Sequence, residues 1–185
     1  HDARVHREAE TLATEGHEVL VLAIAGTGLP DREEVVGFTV HRVPIHTRGW
    51  PRFFIARVAK YIEYFTRTLL AALAWRADVY HAHNANTLPI AYAAARLSGT
   101  QLVYDAHELE TGRNWGSTNL SPFIRQLWAL PERLFIGSAD TTVTVSQSIA
   151  REREFLYHMP PPRVVRNMPR RQGRADRVDI HQMLG

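Results

Sequence analysis

The sequence predicts an α/β fold, an open and mostly parallel sheet with helices on both faces. Three features of this 185-residue chain lead there. Short apolar runs of strand type alternate with stretches of helical periodicity along the chain, the rhythm of crossover units. The run "EVLVLAI" at 18–24 is continuously apolar, as in a parallel strand buried on both faces. Polar residues capable of chemistry follow directly on several strands, where open parallel sheets bind ligands.

Each element has its own justification. Ala3 to Glu15 carries Val5, Ala9, Leu12 and Ala13 at helical spacing, and Gly16 follows in the usual C-terminal place. After the strand at 18–24, "AGTGLPD" reads as a loop, and "VGFTVHRVP" alternates like a second strand around 37–43. A long helix is expected over about 52–76, with a core stripe of Phe54, Val58, Ile62, Phe65, Leu69 and Leu73. The remainder reads as strand 78–83, helix 87–98 closed by Gly99, strand 101–104, helix 122–136, strand 141–145, helix 147–156 and a short strand at 163–167. The chain opens inside a helix, whereas an α/β unit ordinarily opens on a strand. The expectation is therefore a first strand and loop missing in front, and a chain cut short at both ends. Residues 1–168 form one domain on this reading. Residues 169–185 are a basic linker and the start of a further element.

Composition narrows the function. Hydrophobic residues make up 45% and charged residues 22%, the balance of a globular domain. Cysteine is absent, which excludes disulfides and thiolate metal sites and suits a reducing, cytoplasmic setting. The first residues do not resemble a signal peptide, and no apolar run reaches the roughly 18 residues of a membrane span. A formal charge of +3, a pI near 9.6 and ten histidines suit an acidic ligand or an anionic membrane surface. The arginines at 163, 166, 170, 171, 174 and 177 come without stacking aromatics, so no nucleic-acid groove is expected.

Candidate site residues follow from the strand ends. His83 and Asn84 follow the strand at 78, Asp105, His107 and Glu108 the strand at 101, Ser146 the strand at 141, and Asn167 the last strand. For Asp105 and Glu108, ligand contact and capping stand equal, and Ser146 suits a helix cap, a ligand contact or both. His81 and His83 share a face if the strand is regular, with His81 expected to pack within the sheet. His81, His83, Asp105, His107 and Glu108 could supply a zinc or iron site, but no metal-binding spacing accompanies them, and the expectation is no metal. "TVSQSI" lacks the Gly-x-Ser-x-Gly elbow of a hydrolase.

The blocks "ARVHREAETLATEGHEVLVLA", "ADVYHAHNANTLPIAYAAARLSGTQLVYDAHE", "ADTTVTVSQSIARE" and "RVVRNMP" appear in that order. Together they resemble the amino-terminal, Rossmann-like domain of the family 4 retaining glycosyltransferases of GT-B fold, over about residues 2–168. The resemblance implies a nucleotide-sugar as donor substrate, no other cofactor, and a glycan or lipid-linked acceptor. It also implies a second, donor-binding domain beyond this sequence. His107 would match the histidine that reaches the donor sugar, flanked by Asp105 and Glu108. His83 and Asn84 would line the acceptor side, Ser146 would face the cleft from a helix start, and Asn167 would lie near the hinge. The fragment alone is expected to be inactive. A non-catalytic module that binds an acceptor or partner is the alternative.

Residues 48–67, "RGWPRFFIARVAKYIEYFTR", mix Trp50, Phe53, Phe54, Tyr61 and Tyr64 with Arg48, Arg52, Arg57, Lys60 and Arg67. That mixture suits peripheral contact with an anionic membrane, for example at the inner face, or a sheet-covering helix with an aromatic start.

Overall fold

The computed structural model describes residues 3–51, 53–106 and 130–166. His107, Glu108 and Asn167, residues 122–129 of the expected helix and the linker at 169–185 lie outside the described residues.

Helix α1 (Ala3–Thr14) ends as its sequence suggests. Gly16 takes φ +91°, its N–H bonds the Ala13 carbonyl at 3.1 Å, and the His17 N–H bonds the Leu12 carbonyl at 3.1 Å. This paired arrangement satisfies two of the helix's last carbonyls. Strands β1 (Leu20–Ile24), β2 (Arg32–Val35) and β3 (Phe38–Val43) form a three-stranded sheet in the order β1-β3-β2. β1 runs parallel to β3 with Leu20 opposite Thr39, and β2 runs antiparallel to β3 with Val35 opposite Phe38. The sequence did not signal β2. Its tight turn places Val36 at φ +34° and Gly37 at φ +86°, and a β-branched residue there hides the glycine's hairpin signal. Arg42, buried on β3, donates to the Pro30 carbonyl at 2.8 Å and to Glu33, which ties the hairpin together.

A second sheet is wholly parallel, in the order β4-β5-β6-β7, from Val79–Ala82, Gln101–Asp105, Thr141–Thr144 and Arg163–Val164. α2 (Phe54–Trp75) precedes β4, and between these strands lie α3 (Leu88–Ser98), a helical run over 130–135 and α4 (Gln147–Tyr157). α3 packs on α2, β4 and β5, and α4 packs on β6 and β7. The core gathers Tyr80, Ala82, Leu88, Ala94, Leu102 and Tyr104, with Leu69 and Leu73 of α2 packed against it. Leu102, with almost no exposed surface, contributes about 1.5–3 kcal/mol by burial alone. Leu22 of β1 packs against this same core, and α1 lays His6 edge-on against Phe38 of β3 with ring centroids 5.2 Å apart. α2 contacts β1 and β3 as well as this core, so it borders both sheets.

Two expectations are corrected here. The first strand was expected to be buried on both faces, yet β1 is only partly buried and Ile24 is exposed. It lies at the edge of its sheet, with β3 as its hydrogen-bonded neighbour among the described residues. The core stripe on α2 holds only in its second half. Leu69 and Leu73 reach the core, while Phe54 is 77% exposed and Ile62 56% exposed. α2 contacts α3, β1, β3 and the turn at 46–49, and Ala56 in its first half is buried, so the face covered there is a different one from the stripe.

Candidate functional site

The carboxyl ends of β4 and β5 lie side by side, with Ala82 opposite Tyr104. Period-two alternation on β4 turns His81 and His83 to one side, and their rings stack with centroids 4.3 Å apart and planes 28° from parallel. The shared face was legible in the sequence. His83 Nδ1 lies 3.6 Å from Asp105 Oδ2 and 3.6 Å from Glu8 Oε2 of α1. Burial, and then the neighbouring His83, pull the pKa of His81 down to about 4, so its ring is neutral near pH 7.

Asp105 has no exposed surface. Arg4 of α1 donates Nε to its Oδ2 at 2.6 Å and a terminal nitrogen to its Oδ1 at 2.9 Å, a bidentate buried pair. Arg4 Nε also lies 3.0 Å from Glu8 Oε1, one helical turn along. The start of α1 is thereby fixed to the end of β5. Sequence reasoning missed Arg4 and Glu8, because i,i+4 charges on a helix ordinarily lie on a solvated face. Only the depth of Asp105 marks them.

Asn84 is exposed, and its side-chain oxygen accepts the N–H groups of Asn86 and Thr87, each at 3.0 Å. This shapes the turn into α3. Ser146, at the end of β6, caps α4 by accepting the Ile149 N–H at 3.3 Å, and its hydroxyl also meets Ser148 at 2.9 Å. The structure therefore brings His83 and Asp105 into one cluster. It places Asn84 on the adjoining turn and Ser146 one strand further along the same sheet edge.

A second buried polar network braces this edge from below. Glu132 accepts the hydroxyls of Tyr104 at 2.7 Å and Tyr157 at 2.8 Å and pairs with the buried Arg153. Burial and the Glu132 carboxylate push the Tyr157 hydroxyl far up from its ordinary pKa. A shallow depression lined by Tyr92, Arg96, Thr100 and Asp140 lies at the other, amino-terminal end of β5. The Asp140 carboxylate there accepts the Leu102 N–H at 2.8 Å. Open parallel sheets bind at the opposite end, which leaves the histidine edge as the candidate.

Among the described residues, no helix is long and apolar enough to cross a membrane. No curated protein sequence matches the chain. Two solved structures of sucrose-phosphate synthase from Thermosynechococcus elongatus resemble it. One matches with a TM-score of 0.67 and 14% identity, over 88% of this chain and 41% of that one. The other covers 97% of this chain and 90% of its own, with a TM-score of 0.60 and 14% identity. At that identity the likeness concerns the fold, and this chain spans well under half the length of the first structure. The family model described as a glycosyl transferase 4-like domain matches residues 2–169. The chain therefore belongs to the glycosyl transferase 4-like domain family.

Proposed function

We propose that this domain is the amino-terminal, acceptor-side half of a retaining glycosyltransferase. The reaction would move a hexosyl group from a nucleotide-sugar to an acceptor hydroxyl. The observation that carries the reading is the family match over residues 2–169, joined to polar groups at the carboxyl ends of three adjacent parallel strands. His83 and Asn84 would line the acceptor side, Ser146 would face the cleft from the start of α4, and His107, with Glu108 beside it, would position the donor sugar. Asp105 would act through Arg4, fixing the carboxyl end of β5 to α1. Asn167 would lie at the hinge to a donor-binding domain. Catalysis would rest on positioning, on stabilising the leaving diphosphate and on excluding water as the two domains close. Residues 1–185 alone would hold acceptor without transferring sugar. His107→Ala in the full-length protein tests the assignment. Turnover should fall at least a hundredfold at unchanged folding stability, and normal turnover would remove His107 from the site.

A second reading concerns location. The exposed amino-terminal face of α2 favours peripheral contact with an anionic lipid surface, at the cytoplasmic face of a membrane. Trp50, Phe53, Phe54 and Ile55 are each more than half exposed, and the exposed Arg57 lies among them. Lys60 donates to the Trp50 carbonyl at 2.5 Å, which places its cation beside Trp50. Full-length protein should co-sediment with vesicles containing anionic lipid and not with neutral vesicles. Ile55→Asp should reduce the bound fraction severalfold, and equal absence from both vesicle types would end this reading.

A further inference from the structure

His81 and His83 present two ring nitrogens, Nε2 and Nδ1 respectively, that are buried and have no hydrogen-bond partner among the described residues. Buried polar atoms of this kind call for an explanation. One ligand atom from each of Glu8, His81, His83 and Asp105 lies within 4.8 Å of all the others. We infer that these four side chains form a binding site for a divalent transition-metal ion of the zinc type, joining α1, β4 and β5.

The geometry is close to what such an ion needs. Zinc bonds of about 2.0–2.2 Å in a tetrahedron separate the ligand atoms by roughly 3.4 Å, so side-chain movements of about an ångström complete the site. Alternation on β4 brings both imidazoles to one side without any loop rearrangement. Two nitrogen and two carboxylate ligands select zinc or cobalt over magnesium or calcium, which prefer an all-oxygen shell. Charge also fits. Two carboxylates and one guanidinium sum to −1, and a divalent ion brings the cluster to +1. Arg4 supports the carboxylates from behind, as outer-shell groups do, while its charge moderates affinity. Sequence spacing could not reveal the site, because Glu8 and Asp105 come from other elements.

The inference is independent of glycosyl transfer, and its test reads no enzymatic activity. Full-length, untagged protein stripped with EDTA is titrated with Co²⁺ and followed by visible absorption, then by competition with Zn²⁺ and with Mg²⁺. One equivalent of Co²⁺ should give the intense bands of a tetrahedral ion, displaced by Zn²⁺ and untouched by Mg²⁺. His83→Gln, at a partly exposed side chain that tolerates change, should weaken binding at least tenfold. His81→Gln with His83→Gln should abolish it, and His158→Gln, outside the cluster, should leave it intact. Circular dichroism confirms that each variant is folded. Absence of the tetrahedral spectrum in the unaltered protein would overturn the inference, as would its persistence in folded His83→Gln.

Discussion

Replacing Arg4 by leucine removes a guanidinium from a carboxylate with no exposed surface. Asp105 accepts two short bonds from that one group, at 2.6 and 2.9 Å. Removing one partner from a buried pair costs about 3–5 kcal/mol, because the remaining charge loses its compensation without regaining water. Asp105→Asn is milder, about 1–3 kcal/mol, since Arg4 keeps Glu8 at 3.0 Å and the amide keeps its shape. Arg4→Lys falls between, keeping the charge and losing the fork. Urea unfolding of the full-length protein, read as a shift in midpoint at constant slope, measures all three, and the double variant gives their coupling. A loss below about 1 kcal/mol for Arg4→Leu would refute the clamp between α1 and β5.

Three further outcomes follow from the same physics. Glu132→Ala removes the carboxylate that pairs with the buried Arg153 and accepts two tyrosine hydroxyls, and should cost about 3–5 kcal/mol in the same assay. Tyr157→Phe removes one hydrogen bond to a charged group and should cost about 1.5–3 kcal/mol. Glu63 gives a pH signature: the Thr47 hydroxyl beside it and the N–H groups of Thr47 and His46 lower its pKa from 4.5 to about 2. Its folded pKa is depressed, so its contribution is complete above 4.5 and is lost as pH falls towards 2. The Tm difference between the unaltered protein and Glu63→Gln should shrink across that window, and a difference constant from pH 6 to 2 would contradict the assignment.

The alternation of strands and helices from 78 onward was legible because each apolar run is short, buried and bounded by its own stop signal. Gly16 and Gly99 closed their helices at left-handed positions as the sequence suggested. Arg76 and His158 close theirs in the same conformation without glycine, at a cost the sequence does not display. The outward turn of Phe54 and Ile62 was illegible for a different reason. Periodicity reports that a face is apolar, not which face the neighbouring elements cover. At the site, alternation placed His81 and His83 together correctly, whereas Arg4 and Glu8 act on Asp105 across about a hundred residues of chain, beyond any local pattern. The Glu132 network escaped notice in the same way, since Glu132 and Arg153 each alone read as surface residues.

Glycosyl transfer is tested most directly by presenting a panel of nucleotide-sugars to the full-length protein with candidate glycan and lipid-linked acceptors, and measuring nucleotide release. The account predicts acceptor-dependent release from at least one donor, with the product retaining the donor's anomeric configuration. Release from no donor, while the folded protein still binds an acceptor, would contradict it and leave a binding module in its place.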